Sequence, residues 1–155
     1  MIIAIDGPAG SGKSTIAHLV SVSIHACDLD TGAMYRSVTY RALEQGLVGK
    51  GHGLADEDSA RIAQIAAEEP IGFSYDDAGG IVSVTIGGRD VTGAIRESEV
   101  DQNVAIVSAI SPVRAALTEQ QRRLARIKTT VLEGRDIGTV VFPDAELKVF
   151  LTARP

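Results

Sequence analysis

Residues 7–15, GPAGSGKST, decide how this chain is read. Gly7, Gly12, Lys13 and Ser14 satisfy G-x-x-x-x-G-K-[ST]. The context fits as well. Ile2–Ile5 is a short β-branched apolar run that reads as a buried parallel strand, closed by Asp6-Gly7-Pro8. Ser14–Ile24 follows with apolar residues at helical spacing. A glycine-rich turn between a strand and a helix lets successive backbone N–H groups point inward around phosphate oxygens. The helix start adds roughly half a positive charge. Gly7, Pro8, Ala9, Gly10, Ser11, Gly12, Lys13, Ser14 and Thr15 are therefore the expected ATP-binding loop. Lys13 should reach the outer phosphates and the Ser14 hydroxyl should ligate Mg²⁺.

Working outward, a short strand should precede Asp30, and Ala33–Gln45 should be a helix with Gly46 just past its end. Asp56–Glu69 has helical periodicity, with Asp56 as the expected N-cap and Pro70 as the stop. The pattern then changes. Ile71–Tyr75, Ile81–Ile86 and Arg89–Val91 read as strands joined by Asp76–Gly80 and Gly87-Gly88, a small antiparallel meander set into an α/β pattern. Helices are expected over 97–110 and 112–127, and strands over Thr129–Leu132 and Leu147–Leu151. Buried strands alternating with helices imply a parallel sheet covered on both faces.

The chain has 155 residues, enough for one domain, with or without a small insert. Its 45% hydrophobic and 23% charged residues exclude collagen-like, disordered and disulfide-scaffold classes. Only 4% are aromatic, so the core must be built from Ile, Val, Leu and Ala. A net charge of −5 argues against a nucleic-acid partner. Anions must be bound locally, by backbone N–H groups and placed Arg and Lys. One cysteine, Cys27, excludes an internal disulfide and suits a reducing compartment. No apolar run reaches the ~20 residues that span a bilayer, and the first residues lack a secretory pattern, so the cytoplasm is the expected location, without a membrane partner.

The loop names a purine triphosphate and Mg²⁺ but not a reaction. No N-K-x-D segment is present, as a GTPase would require, and a large ATPase would need more chain. A small chain with an inserted meander suggests phosphoryl transfer to a second small molecule. Arg36, Arg96, Arg114 and Arg135 lie beside glycine turns or on expected helices, and guanidinium groups bind a phosphate monoester through paired hydrogen bonds.

Four motifs in order, GPAGSGKST (7–15), LDTGAMYR (29–36), VTGAIR (91–96) and EGRDIGTVVFP (133–143), resemble the bacterial cytidylate kinases, a branch of the nucleoside monophosphate kinase family of P-loop proteins. The likeness runs from Ile2 to the end of the chain. It implies a three-layer α/β P-loop NTPase fold, with the meander at about 71–95 as an insert enlarging the CMP-binding part. It implies transfer of the γ-phosphoryl group of ATP to CMP or dCMP. Lys13, Arg135 and Asp136 are then the expected catalytic residues, and Thr31, Arg36, Arg96, Arg114, Arg135 and Asp136 the expected CMP-binding set. Asp136 and Thr31 would accept from cytosine N4, and Arg114 would donate to N3 and O2. Uracil would set an acceptor against Asp136, so UMP should be a poor substrate. Asp30 is a candidate to hold Mg²⁺ through water.

Three departures stand out. The family continues past the position of Thr152-Ala153-Arg154-Pro155 into a mobile lid that brings further arginines, each class of which is worth ~10³–10⁵ in rate. A nucleotide-binding module with little kinase activity is therefore the alternative expectation, and the 147–151 strand becomes an apolar edge that would permit a dimer where the family is monomeric. Ala105 stands where the family has a sugar-contacting Ser, which leaves the ribose-versus-deoxyribose preference open. His25-Ala26-Cys27-Asp28 replaces a Gly followed by aromatic or apolar residues; His25 and Cys27 alone are too few to ligate a metal. His18 and His52 read as surface residues without partners, and a P-loop kinase with a shikimate-like or nucleoside acceptor is the remaining alternative.

Overall fold

The computed structural model describes residues 1–49, 51 and 53–154, so the reading of His52 lies outside the described residues. The element order is β1 (Ile2–Asp6), α1 (Lys13–Ser23), β2 (Cys27–Asp30), α2 (Thr31–Glu44), α3 (Asp56–Glu68), β3 (Ile71–Tyr75), β4 (Ile81–Ile86) and β5 (Arg89–Asp90). A 3₁₀ turn at Ala94–Arg96 leads to α4 (Ser98–Ser108) and α5 (Ser111–Ala125). Then come β6 (Thr130–Gly134), a π-helical turn at Ile137–Val141, and β7 (Leu147–Phe150). The chain is α/β: a parallel four-stranded sheet in the order β2-β6-β1-β7, and a small antiparallel sheet in the order β3-β4-β5.

The Cα trace divides into two compact units. The first comprises Met1–Gly32, Tyr75–Ile81 and Gln121–Pro155. It holds the parallel sheet, in which Ile5 pairs with Glu133 and Asp6 with Gly134 on one side, and Asp6 with Phe150 on the other. Ile3, Ile5, Ala17, Ala26 and Val131 form its buried cluster, with Val20 and Leu151 packed against it. That is the β-branched and small-residue core which the scarcity of aromatics demands. The second unit comprises Ala33–Ser74 and Val82–Gln120. Its fully buried residues include Met34, Val38, Ile62, Ile65, Ile86, Ile95, Val100 and Leu117.

The sequence reading holds for every strand and helix in kind, and the differences fall at ends. β6 extends through Glu133 to Gly134, two residues past the expected end, which makes Glu133 a buried strand residue. Asp56 is not the N-cap of α3. Ala55 is, in extended conformation, and Asp56, Glu57 and Asp58 occupy the first turn, where the helix dipole favours carboxylates. α2 starts at Thr31, so Gly32 lies within the helix and takes no positive φ. Gly46 has φ +66°, and the Leu47 N–H to Ala42 C=O bond (2.9 Å) completes the expected glycine C-cap. Among the described residues no helix is long and apolar enough to cross a membrane.

Candidate active site

Glycine is obligatory at Gly7, because a Cβ there would sit 2.2 Å from the backbone oxygen of Leu151. That oxygen belongs to the residue whose N–H bonds the Asp6 carbonyl at 2.7 Å, so the loop leaves β1 against the end of β7. Gly10 (φ +73°) and Gly12 (φ +87°) take left-handed conformations, with open space where a side chain would stand. α1 begins with no side-chain cap and no acidic residue in its first turn, so no side chain of the cap competes with an anion for its first N–H groups. Lys13 Nζ donates to the Pro8 carbonyl at 2.7 Å, folding the side chain back over the loop. The Ser11 hydroxyl oxygen is buried and has no hydrogen-bond partner among the described residues.

Carboxylates gather at the ends of the strands behind this loop. Ser14 Oγ donates to Glu133 at 2.5 Å. Asp30 is the register partner of Glu133 across β2 and β6. Burial pushes the Glu133 carboxyl above its usual range; the Ser14 hydrogen bond opposes this, Asp30 adds to it, and Lys13 opposes it. Asp28, two residues before Asp30 on the same strand face, is raised to about 6, chiefly by burial, then by Asp30 and Glu133, with His18 pulling the other way. His18 therefore has a partner that the sequence did not reveal: its Nδ1 lies 3.8 Å from the Asp28 carboxylate. Ser14, Glu133 and Asp30 together form an all-oxygen donor set, which suits Mg²⁺. Among the described residues no three His, Cys, Asp or Glu side chains form a metal cage. A Mg²⁺ shared with phosphates needs only one or two protein ligands.

Asp6 was absent from the sequence-derived set, and it organises the EGRDIGTVVFP segment. It is 7% exposed, and its two carboxylate oxygens accept from the Ile137 and Gly138 N–H groups, both at 2.8 Å. This fixes the turn directly after Arg135 and Asp136, whose own side chains are exposed. Thr31 is 4% exposed, and its hydroxyl donates to the Glu133 carbonyl at 2.6 Å. Because its one hydrogen is committed there, the Thr31 oxygen can only accept from anything else.

The first unit thus brings together the 7–15 loop, Asp30, Thr31, Arg135 and Asp136. Arg36, Arg96 and Arg114 belong to the second. Arg36, on α2, donates through Nη1 to the Ile95 carbonyl (3.1 Å) and to the Asp101 carboxylate of α4. Arg96 ends the 3₁₀ turn and Arg114 lies on α5; both are exposed. Ala105 is exposed on α4. Asp6, Asp28, Glu133 and Asp101 escaped the sequence reading because nothing local distinguishes them. Asp6 read as the residue that closes the first strand, Glu133 as part of a motif, and Asp101 as one unremarked position of an expected helix.

Comparison with known proteins bears on this arrangement. The family model described as cytidylate kinase matches residues 3–155. A cytidylate kinase of Streptococcus agalactiae serotype III (strain NEM316) is 49% identical over 151 residues, covering 97% of this chain and 63% of the relative. One of Streptococcus equi subsp. zooepidemicus (strain MGCS10565) is 51% identical over the same shares. One of Chlorobaculum tepidum is 45% identical over 155 residues, covering 100% of this chain and 62% of the relative. The chain spans less than two thirds of the length of these curated relatives.

Proposed function

Because the chain belongs to the cytidylate kinase family, we propose that it transfers the γ-phosphoryl group of ATP to CMP or dCMP, giving ADP and CDP or dCDP. The observation that carries this reading is the loop itself: open glycine backbone, an uncapped helix start, and Lys13 and Ser14 at the positions a triphosphate needs. On this reading Lys13 exchanges the Pro8 carbonyl for the outer phosphates. Ser14 and Glu133, with Asp30 through water, hold Mg²⁺, which when bound neutralises charge on the transferring group. Arg36 and Arg135, helped by Arg96, hold the CMP phosphate. No covalent intermediate is needed; positioning and charge neutralisation supply the rate.

Base choice follows from Thr31 and Asp136. A carboxylate and a hydroxyl whose hydrogen is already donated to Glu133 are two acceptors. They match the N4 amino group of cytosine and repel O4 of uracil, while Arg114 donates to N3 and O2. The meander at about 71–95 is the CMP-binding insert of a single cytidylate kinase domain, and the protein works as a cytoplasmic monomer. Coupled ADP release with CMP, dCMP and UMP tests this. CMP- or dCMP-dependent ADP production well above that with UMP is expected. Faster turnover of UMP than of CMP refutes the base reading. Calorimetric ATP binding without CMP- or dCMP-dependent ADP production refutes the transfer reading.

A further inference from the structure

Arg36 is held on one side only. Its Nη1 makes both of its contacts, to the carbonyl of the fully buried Ile95 and to Asp101. Among the described residues, neither Nε nor Nη2 has a hydrogen-bond partner. Nε–H and Nη2–H form the edge through which a guanidinium binds two oxygens of one phosphate.

We propose that Asp101 is a positioning residue: it holds Arg36 by Nη1 so that the Nε–Nη2 edge is presented, already ordered, to the phosphate of the acceptor nucleotide. The inference rests on the reading of Arg36 as a phosphate clamp under Proposed function. Two effects of Asp101 oppose each other. Its negative charge disfavours a nearby phosphate, but its side chain is 53% exposed, so water and salt screen that repulsion. The ordering effect is not screened. A long arginine side chain loses rotamer freedom when it engages a ligand, and Asp101 has already removed that freedom before CMP arrives. The ordering effect therefore wins.

Calorimetry of the full chain with CMP and, separately, ATP tests this. Asp101→Ala should weaken CMP about tenfold, the upper end of what ordering one such side chain is worth, and leave ATP unchanged. Asp101→Asn, which keeps an acceptor oxygen for Nη1, should stay within about threefold of the parent for CMP. Unchanged or tighter CMP binding by Asp101→Ala overturns the proposal. So does an equal loss of ATP affinity, since the proposal gives Asp101 a part only in holding the acceptor's phosphate. Arg36→Ala serves as the control: if it leaves CMP binding unchanged, the clamp reading itself fails. If Arg36→Ala weakens CMP and Asp101→Ala does not, only the positioning role falls.

Discussion

Asp28 carries a consequence of its own. It is 7% exposed beside Asp30 and Glu133, and its carboxyl is raised from 3.8 to about 6. Folding therefore favours the protonated form. The stability this group contributes is fully present below about pH 4 and is lost as pH rises through 6. Asp28→Asn removes the charge, so the variant should be more stable than the parent at pH 8 by roughly 1–2 kcal/mol, after allowance for partial solvation and for His18. The gain should vanish by about pH 4. Urea midpoints at three pH values decide it, and a gain independent of pH would contradict the assignment. Sequence alone could not reach this point. It singled out Lys13, Ser14, Thr31 and Arg36 as candidates because motifs contain them, whereas the surroundings of Asp28, Glu133 and Asp6 include groups more than 100 residues away.

Among the elements, the glycine-rich turn from β1 into α1 was legible almost whole. A β-branched run, a glycine-rich turn and a helical period each follow from local backbone physics. What could not be read was how β1 and β7 close on the loop. The oxygen of Leu151 fills the space beside Gly7, across 144 positions of sequence. Gly7→Ala must therefore move backbone, not a flexible side chain. A loss of roughly 3 kcal/mol or more in chemical denaturation is expected, together with impaired ATP binding. A loss below about 1 kcal/mol would show that the loop and β7 are less tightly joined. The π-helical turn at Ile137–Val141 was missed for a related reason: its start is fixed by the side chain of Asp6, not by its own residues. The Asp56 cap was misplaced because three consecutive first-turn acids leave the boundary ambiguous by one residue.

At the scale of the whole molecule, the chain carries a net charge of −5, so any anion it binds must meet a few cationic and backbone donors set against a negative background. The first unit carries the 7–15 loop, Thr31 and Asp136; the second carries Arg36, Arg96 and Arg114. Family membership and a parallel P-loop sheet were readable from four motifs, while the division into units was not, because residues 75–81 of the meander cluster with the first unit rather than with their sequence neighbours. The most direct test is a crystal structure of this chain with CMP and a non-hydrolysable ATP analogue. The account predicts the analogue's phosphates within residues 7–15, the CMP phosphate on Arg36 and Arg135, and cytosine N4 on Thr31 and Asp136. CMP bound away from those residues, or a phosphate loop left empty at saturating analogue, would contradict it.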